Sequence, residues 1–375
     1  MKTKMLLVAM LFLSVQIYAQ ELALASQKKQ FGYITKSGDW QIKPAFKVAK
    51  NFSEDLAEAS KNGKEWGFIN RKGAWVIEPV FNKTKEFNSG IAIVLKDKEW
   101  IYINTKGEQV LSDVSTEKLY DFQEGYAIVR QDGMVGFINT KGKLVVPAKF
   151  KKVFNFENGY AKVLEGDKWG LIDPSGNYYA KTEYDGISNY YDGNVVANIG
   201  DKHGLIVNKK FIEVPGAEKI WDFSRGSKYT YARKDGKMGF INNQGVWVIE
   251  PAYDKARAFV NGLAPVMKDK NWGYINIKGK EVIPFEYRDA EIFSDDGLAP
   301  VKSSKLWGFV NKDGKLVIED HYDITAGGFS IFQKNNPKGF LNGLARVKTK
   351  KSWVYINTKG EVLKGLQFDN LELFN

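Results

Sequence analysis

Short apolar runs of four to six residues, separated by polar turn clusters, fill the chain from Gln30 onward. Gly262 to Met267 is one such run, Trp272 to Asn276 is the next, and Glu281-Val282-Ile283 begins a third. Lys268-Asp269-Lys270-Asn271 and Ile277-Lys278-Gly279 separate them. Runs of this length are strands and too brief for helices, so the predicted unit is an antiparallel meander of three strands and two tight turns. The unit recurs ten times. Its second run opens at Phe31, Trp66, Trp100, Val135, Trp169, His203, Met238, Trp272, Trp307 and Trp353, in steps of 34 or 35 residues until a final step of 46. A fixed period of this size is the mark of a repeat architecture.

Each copy carries a turn code at constant phase. Gly stands seven residues after the opening position at Gly38, Gly73, Gly107, Gly142, Gly176, Gly245, Gly279, Gly314 and Gly360, and only Lys210 breaks the rule. Asn or Asp often stands four residues after it, as at Asn70, Asp173 and Asn276. Gly at one phase of a short hairpin loop answers a left-handed backbone position. Proline follows the third run at Pro44, Pro79, Pro147, Pro215, Pro251 and Pro284, where it marks the end or edge of that strand. Two aromatics close the unit, as at Phe81 and Phe87 or Tyr287 and Phe293, well placed to plug the connection to the next copy.

One meander buries too little area to stand alone, whereas stacked neighbours share a core. The expected fold is all-β: tandem three-stranded meanders in an open curved or superhelical stack, with atypical first and last copies as caps. A closed, propeller-like toroid is the alternative; it would remove exposed edges, but ten blades exceed the usual four to eight and a three-stranded unit is short for a blade. The expected organisation is a leader over 1–19, a short linker over 20–29 and one array over 30–375, with about a dozen extra residues around 327–339.

Trp66-Gly67-Phe68-Ile69-Asn70, Trp272-Gly273-Tyr274-Ile275-Asn276 and Trp307-Gly308-Phe309-Val310-Asn311 resemble the motif of the WG-repeat family, also called the KWG repeat. Trp169-Gly170 keeps the pair, while Trp100 and Trp353 are followed by Ile101 and Val354; Val135, His203 and Met238 replace the Trp. The resemblance implies a β-rich interaction module of a kind common in bacterial exported proteins, with no shared catalytic residues to carry over. The departures read as tolerance at a packing position.

The N-terminus has its own composition. Lys2 and Lys4 precede the apolar run Met5 to Val15, and Ala19 offers a small residue for cleavage, which is the layout of a secretory signal peptide. The expected product is exported, periplasmic or extracellular, without a transmembrane span. With no cysteine in 375 residues, disulfides and thiol chemistry are excluded. The net charge of +11 falls to +9 once Lys2 and Lys4 leave, and the remaining cations alternate with acids at loop tips. Weak attraction to polyanions follows, while a nucleic-acid partner is not expected.

Candidate chemistry is sparse. His203 fills a Trp slot and His321 lies among acids in a surface turn, so neither nucleophile-base pairs nor a zinc cluster is expected, and no cofactor. Asp295-Asp296-Gly297 reads as a turn before a strand, not a catalytic dyad. The chain is expected not to be an enzyme but a scaffold that binds a protein or a cell-surface polymer. The alternative is a glycan-binding or carbohydrate-active protein using the divergent fifth and sixth copies. There the off-pattern rings Tyr178, Tyr179, Tyr190, Tyr191, Trp221 and Tyr231 are the candidate ligand contacts, because aromatic faces stack on sugar rings.

Overall fold

The computed structural model describes residues 20–224, 226–325 and 338–375. The expected leader and all but the last two residues of the expected insertion lie outside them. The second copy shows how a unit is built: the strands Leu56–Ser60, Trp66–Asn70 and Trp75–Phe81 pair antiparallel in chain order. A two-residue strand, Val48–Ala49, pairs in front of them. The unit is therefore four-stranded. Only Lys47 separates that short strand from Trp40–Phe46, the last strand of the preceding sheet, and only Asn82 stands at the next junction.

Ten such sheets follow one another among the described residues, and here they are called blades 1 to 10. Blade 1 has no short strand ahead of Leu22–Gln27. The chain's last strand, Asn370–Phe374, takes that place and pairs antiparallel with Leu22–Gln27, Ala25 opposite Leu371 and Ser26 opposite Asn370. Leu22 and Asn375 exchange backbone hydrogen bonds of 3.0 and 3.1 Å. The array is thus a closed ten-bladed β-propeller, and the expectation of an open stack with capping ends is overturned. Two features misled that expectation. The short strand lies in what reads as a connection, which left the unit one strand short of a blade. The stretch 20–29, expected as a linker, holds the strand that closes the ring. Closure leaves no end of the array with an unpaired edge.

The glycine of the Trp-Gly pair has a steric cause. In blade 8 the strands Asn271–Asn276 and Glu281–Tyr287 pair Trp272 with Tyr287 and Tyr274 with Ile283, and the register slips between those pairs. The bulge folds the third long strand across Gly273, where a Cβ would stand 2.7 Å from the Ile283 carbonyl oxygen and 2.9 Å from that of Pro284. Proline therefore sits inside this strand at its bulge, not at its end. Copies 3 and 10 lack the glycine, and in both the third long strand is altered. In copy 3 the third long strand shrinks to Gln109–Val110, and in copy 10 a 3-10 turn, Leu363–Gly365, replaces it. At Ile101 and Val354 the missing glycine thus goes with a changed third strand, although in copy 10 the chain still pairs Trp353 with Phe368 and Ile356 with Val362.

The turn code does two jobs. The Asn276 side-chain oxygen accepts from the backbone N–H groups of Lys278 and Lys280 at 3.0 and 3.1 Å, and Gly279 takes φ 74°. The same glycine leaves room for its neighbour, because Ile249 of blade 7 packs 3.5 Å from where its Cβ would lie. Gly38 of blade 1 meets Leu363 of blade 10 in the same way, so this contact also runs through the closure. The aromatic plugs pack as expected: Phe293 lies 5.0 Å from the Tyr274 ring and Phe87 lies 4.7 Å from that of Phe68. Where that partner ring is tyrosine, its hydroxyl donates onward to the chain entering the next blade, Tyr274 to Glu291 O at 2.8 Å and Tyr355 to Glu372 O at 2.6 Å.

Gly273→Ala is expected to cost about 2 kcal/mol or more by overpacking, read as a lower urea midpoint, whereas Ile101→Val at the uncrossed slot should cost only about 1 kcal/mol. Glu58, 7% exposed in Leu56–Ser60, supplies a second test. Burial pushes its carboxyl from 4.5 up to about 7, against the pull of Lys50 and with the help of Glu86 and Asp121. Between those two values the unfolded chain has released the proton and the folded one still holds it, so stability falls as pH rises through that window. Glu58→Gln should abolish this part of the decline, measured as Tm from pH 4.5 to 8.

Candidate functional site

Trp221 follows the short strand Lys219–Ile220 of blade 7, and its backbone N–H donates to Tyr231 O at 3.1 Å on the strand Tyr229–Lys234. This backbone bond sets the two side chains beside each other. Their rings stack at 5.1 Å and 29°, and the Thr230 hydroxyl donates to Trp221 O at 2.9 Å. The Lys219 ammonium lies 4.7 Å from the Trp221 ring centre. Burial above all, then Asp222, raises the Tyr231 pKa, against the pull of Arg257, so its hydroxyl is a proton donor at neutral pH.

Blade 8 forms the opposite wall. Arg257 follows the short strand Lys255–Ala256 and lies 4.4 Å from the ring centre of Trp272, itself only 6% exposed. The guanidinium also pairs with Asp289 at 2.9 Å and Glu291 at 3.3 Å. Between the walls runs a groove of about 850 Å³, at the end of the blades that carries the tight turns at Gly236 and Lys270. That volume is within the range of ligand sites.

The groove is cationic. Arg233, Lys255, Arg257, Lys270 and Arg288 line it, against Asp254 and Asp289. Both carboxylates are engaged: Asp289 by Arg257, and Asp254 by Lys237 at 2.5 Å, whose hydrogen bond holds the Asp254 pKa down. Arg233 is occupied by Glu218 at 2.9 Å. Lys255, Lys270 and Arg288 are exposed and have no ion-pair partner among the described residues. Three free cations beside an aromatic stack can hold an anionic group that carries a ring or an apolar face.

Of the six candidate rings, Trp221 and Tyr231 meet in this groove and the other four do not. Tyr190 lies 4.5 Å from Tyr160 and 5.2 Å from Tyr179, which makes it the plug aromatic of its copy. Tyr160–Tyr190 repeats the pairs Tyr126–Phe156 and Tyr229–Phe259 of other blades. The Tyr191 hydroxyl donates to Glu157 at 2.5 Å and the Tyr178 hydroxyl to Glu165 at 2.8 Å. His203 is half-buried in its Trp slot, and His321 is exposed. Asp295 and Asp296 serve turns: Asp296 accepts from Gly343 N at 2.9 Å, as Glu124 does from Gly159 N at 2.8 Å, linking the same turn in successive blades.

The groove's cations escape a reading of the sequence because they are spread from Arg233 to Arg288 over three blades, among acids and other loop charges, and only packing gathers them. One signal was available. The chain has only seven arginines, Arg71, Arg130, Arg225, Arg233, Arg257, Arg288 and Arg346, and three consecutive ones line this groove.

Among solved structures, the chain is similar to one described as a eukaryotic initiation factor, with a TM-score of 0.50, 13% identity and coverage of 95% of this chain and 98% of that one. It also aligns with BamB from Moraxella catarrhalis at a TM-score of 0.34 and 11% identity, over 70% of this chain and 90% of that one. The first likeness bears on fold alone. No curated protein matches the sequence. No helix among the described residues is long and apolar enough to cross a membrane. The family model of the WG containing repeat matches residues 31–64, 66–100, 102–134, 136–169, 169–202, 238–272, 272–306 and 307–336, passing over the divergent sixth copy. These matches span most of the chain and carry the glycines that the strand crossing requires: the protein belongs to the WG-repeat family.

Proposed function

We propose that the protein is an exported, non-enzymatic propeller scaffold that holds an acidic cell-surface polymer in the groove of blades 7 to 9. The observation that carries this reading is the set of unpaired cations Lys255, Lys270 and Arg288 beside the stacked Trp221 and Tyr231. Repeating anionic groups satisfy several such cations at once, and the aromatic pair gives each sugar or apolar unit a face to rest on. Export is supported by the N-terminal order of Lys2 and Lys4, the apolar run and Ala19. A glycan site on the fifth and sixth copies has less support, since Tyr178, Tyr179, Tyr190 and Tyr191 are occupied within the framework.

Residues 20–375 should bind polygalacturonate with an affinity that falls steeply between 50 and 300 mM salt, the range over which screening sharpens. Replacing Lys255, Lys270 and Arg288 together by Ala should weaken binding at least tenfold, and Trp221→Ala should weaken it while leaving the salt dependence in place. Equal binding by parent and triple variant would rule out the groove.

A further inference from the structure

Copy 3 departs from the framework at several positions together. It has Ile101 where the crossing glycine stands, no proline after the third run, and Ser115 and Thr116 where other copies place the first closing aromatic. Its third long strand is Gln109–Val110, paired only with Ile103 and Tyr102, and blade 4 has three strands. Elsewhere the closing aromatic sits directly opposite the Trp, as Phe81 opposite Trp66, Tyr184 opposite Trp169 and Tyr322 opposite Trp307. Trp100 has no such cover. It is 44% exposed, and none of the other nine tryptophans reaches the exposed class.

The space left by the missing strand is a walled cavity of about 520 Å³, with Trp100 on one side and Lys85, Ile93, Thr116, Glu117 and Lys118 around it. The walls are tied down. The Lys85 ammonium pairs with Asp121 at 2.9 Å, Glu117 accepts from Gly133 N at 3.1 Å, and the Thr116 hydroxyl donates to Lys118 O at 2.9 Å and accepts from Arg130 N at 3.2 Å. An indole face framed by fixed donors and an acceptor of mixed charge suits a ring with an apolar C–H face and a hydroxylated rim. Of the two lining lysines only Lys118 has no ion-pair partner among the described residues, so a ligand hydroxyl can accept from it, whereas a purely apolar ligand offers it nothing and a simple anion leaves the indole unused.

We propose that Trp100 is the platform of a saccharide-binding site that takes a pyranose unit, separate from the groove of blades 7 to 9. The lost aromatic, strand and crossing glycine are one structural change that uncovers the indole. Four probes test it by titration calorimetry and saturation-transfer NMR on residues 20–375: hexasaccharides of glucose, N-acetylglucosamine, mannose and galactose. At least one should bind with a Kd below 1 mM. Trp100→Ala should weaken that binding tenfold or more. Thr116→Phe, which restores a covering ring, should do the same with an unchanged or higher Tm. The Lys255, Lys270 and Arg288 triple variant should bind the hexasaccharide as the parent does, which keeps this result apart from that of the groove. Absence of binding by all four sugars at 5 mM, or binding retained by both Trp100→Ala and Thr116→Phe, would overturn the proposal.

Discussion

The structure depends on one close approach: in eight of the ten blades the backbone of the third long strand passes over the glycine that follows the Trp slot, at a distance that excludes a Cβ. From Ile283 to Tyr287 the bulged strand crosses Gly273, spreads its aromatic opposite Trp272 and, after Arg288, gives way to the next blade's first strand at Asp289. Glycine, proline, tryptophan and closing aromatic are four parts of that crossing. Where the glycine is missing, at Ile101 and Val354, that strand is shortened or interrupted by a 3-10 turn. The signature of the family is thus a steric device for turning the chain from one sheet into the next.

A handover of one residue has a consequence for the whole array. Each blade receives its first strand from the chain just leaving its predecessor, so blade 1 is incomplete until the C-terminus supplies Asn370–Phe374. The contacts between neighbours do not stop at the join: Gly38 packs on Leu363 and Leu366, and Tyr355 donates to Glu372. Every sheet therefore has the same kind of neighbour on both sides, and no terminal copy needs a polar cap.

Much of this was legible in the sequence. The period, the three long strands and the Asn and Gly of the second turn follow from local patterning and turn chemistry, as the Asn276 hydrogen bonds bear out. The two-residue strands were not legible, because Val48–Ala49 or Lys255–Ala256 is too short to show alternation. Without them the blade seemed incomplete and the ring unfavourable. Closure was hidden as well, since it pairs residues more than 340 apart and leaves no periodic trace. For the site, sequence reasoning found Trp221 and Tyr231 as rings the framework did not require. It took Tyr190 for another, although Tyr190 fills the plug position. Arg257 and Arg288 look like ordinary loop charges until packing brings blades 7, 8 and 9 together.

Both proposed sites lie near departures from the framework: the groove of blades 7 to 9 follows the divergent sixth copy, and the cavity lies where copy 3 has a shortened third strand. Closure is the claim about the fold on which the whole architecture rests, and it is the one to test. The chain has no cysteine, which makes the test clean. In Ser26→Cys/Asn370→Cys, the two thiols replace directly paired residues of the closing sheet, within reach of a disulfide. Mild oxidation of residues 20–375 should yield a disulfide within one chain, at a rate independent of protein concentration and with the Tm unchanged or raised. Thiols that stay free, or that link only separate chains, would contradict the closed propeller.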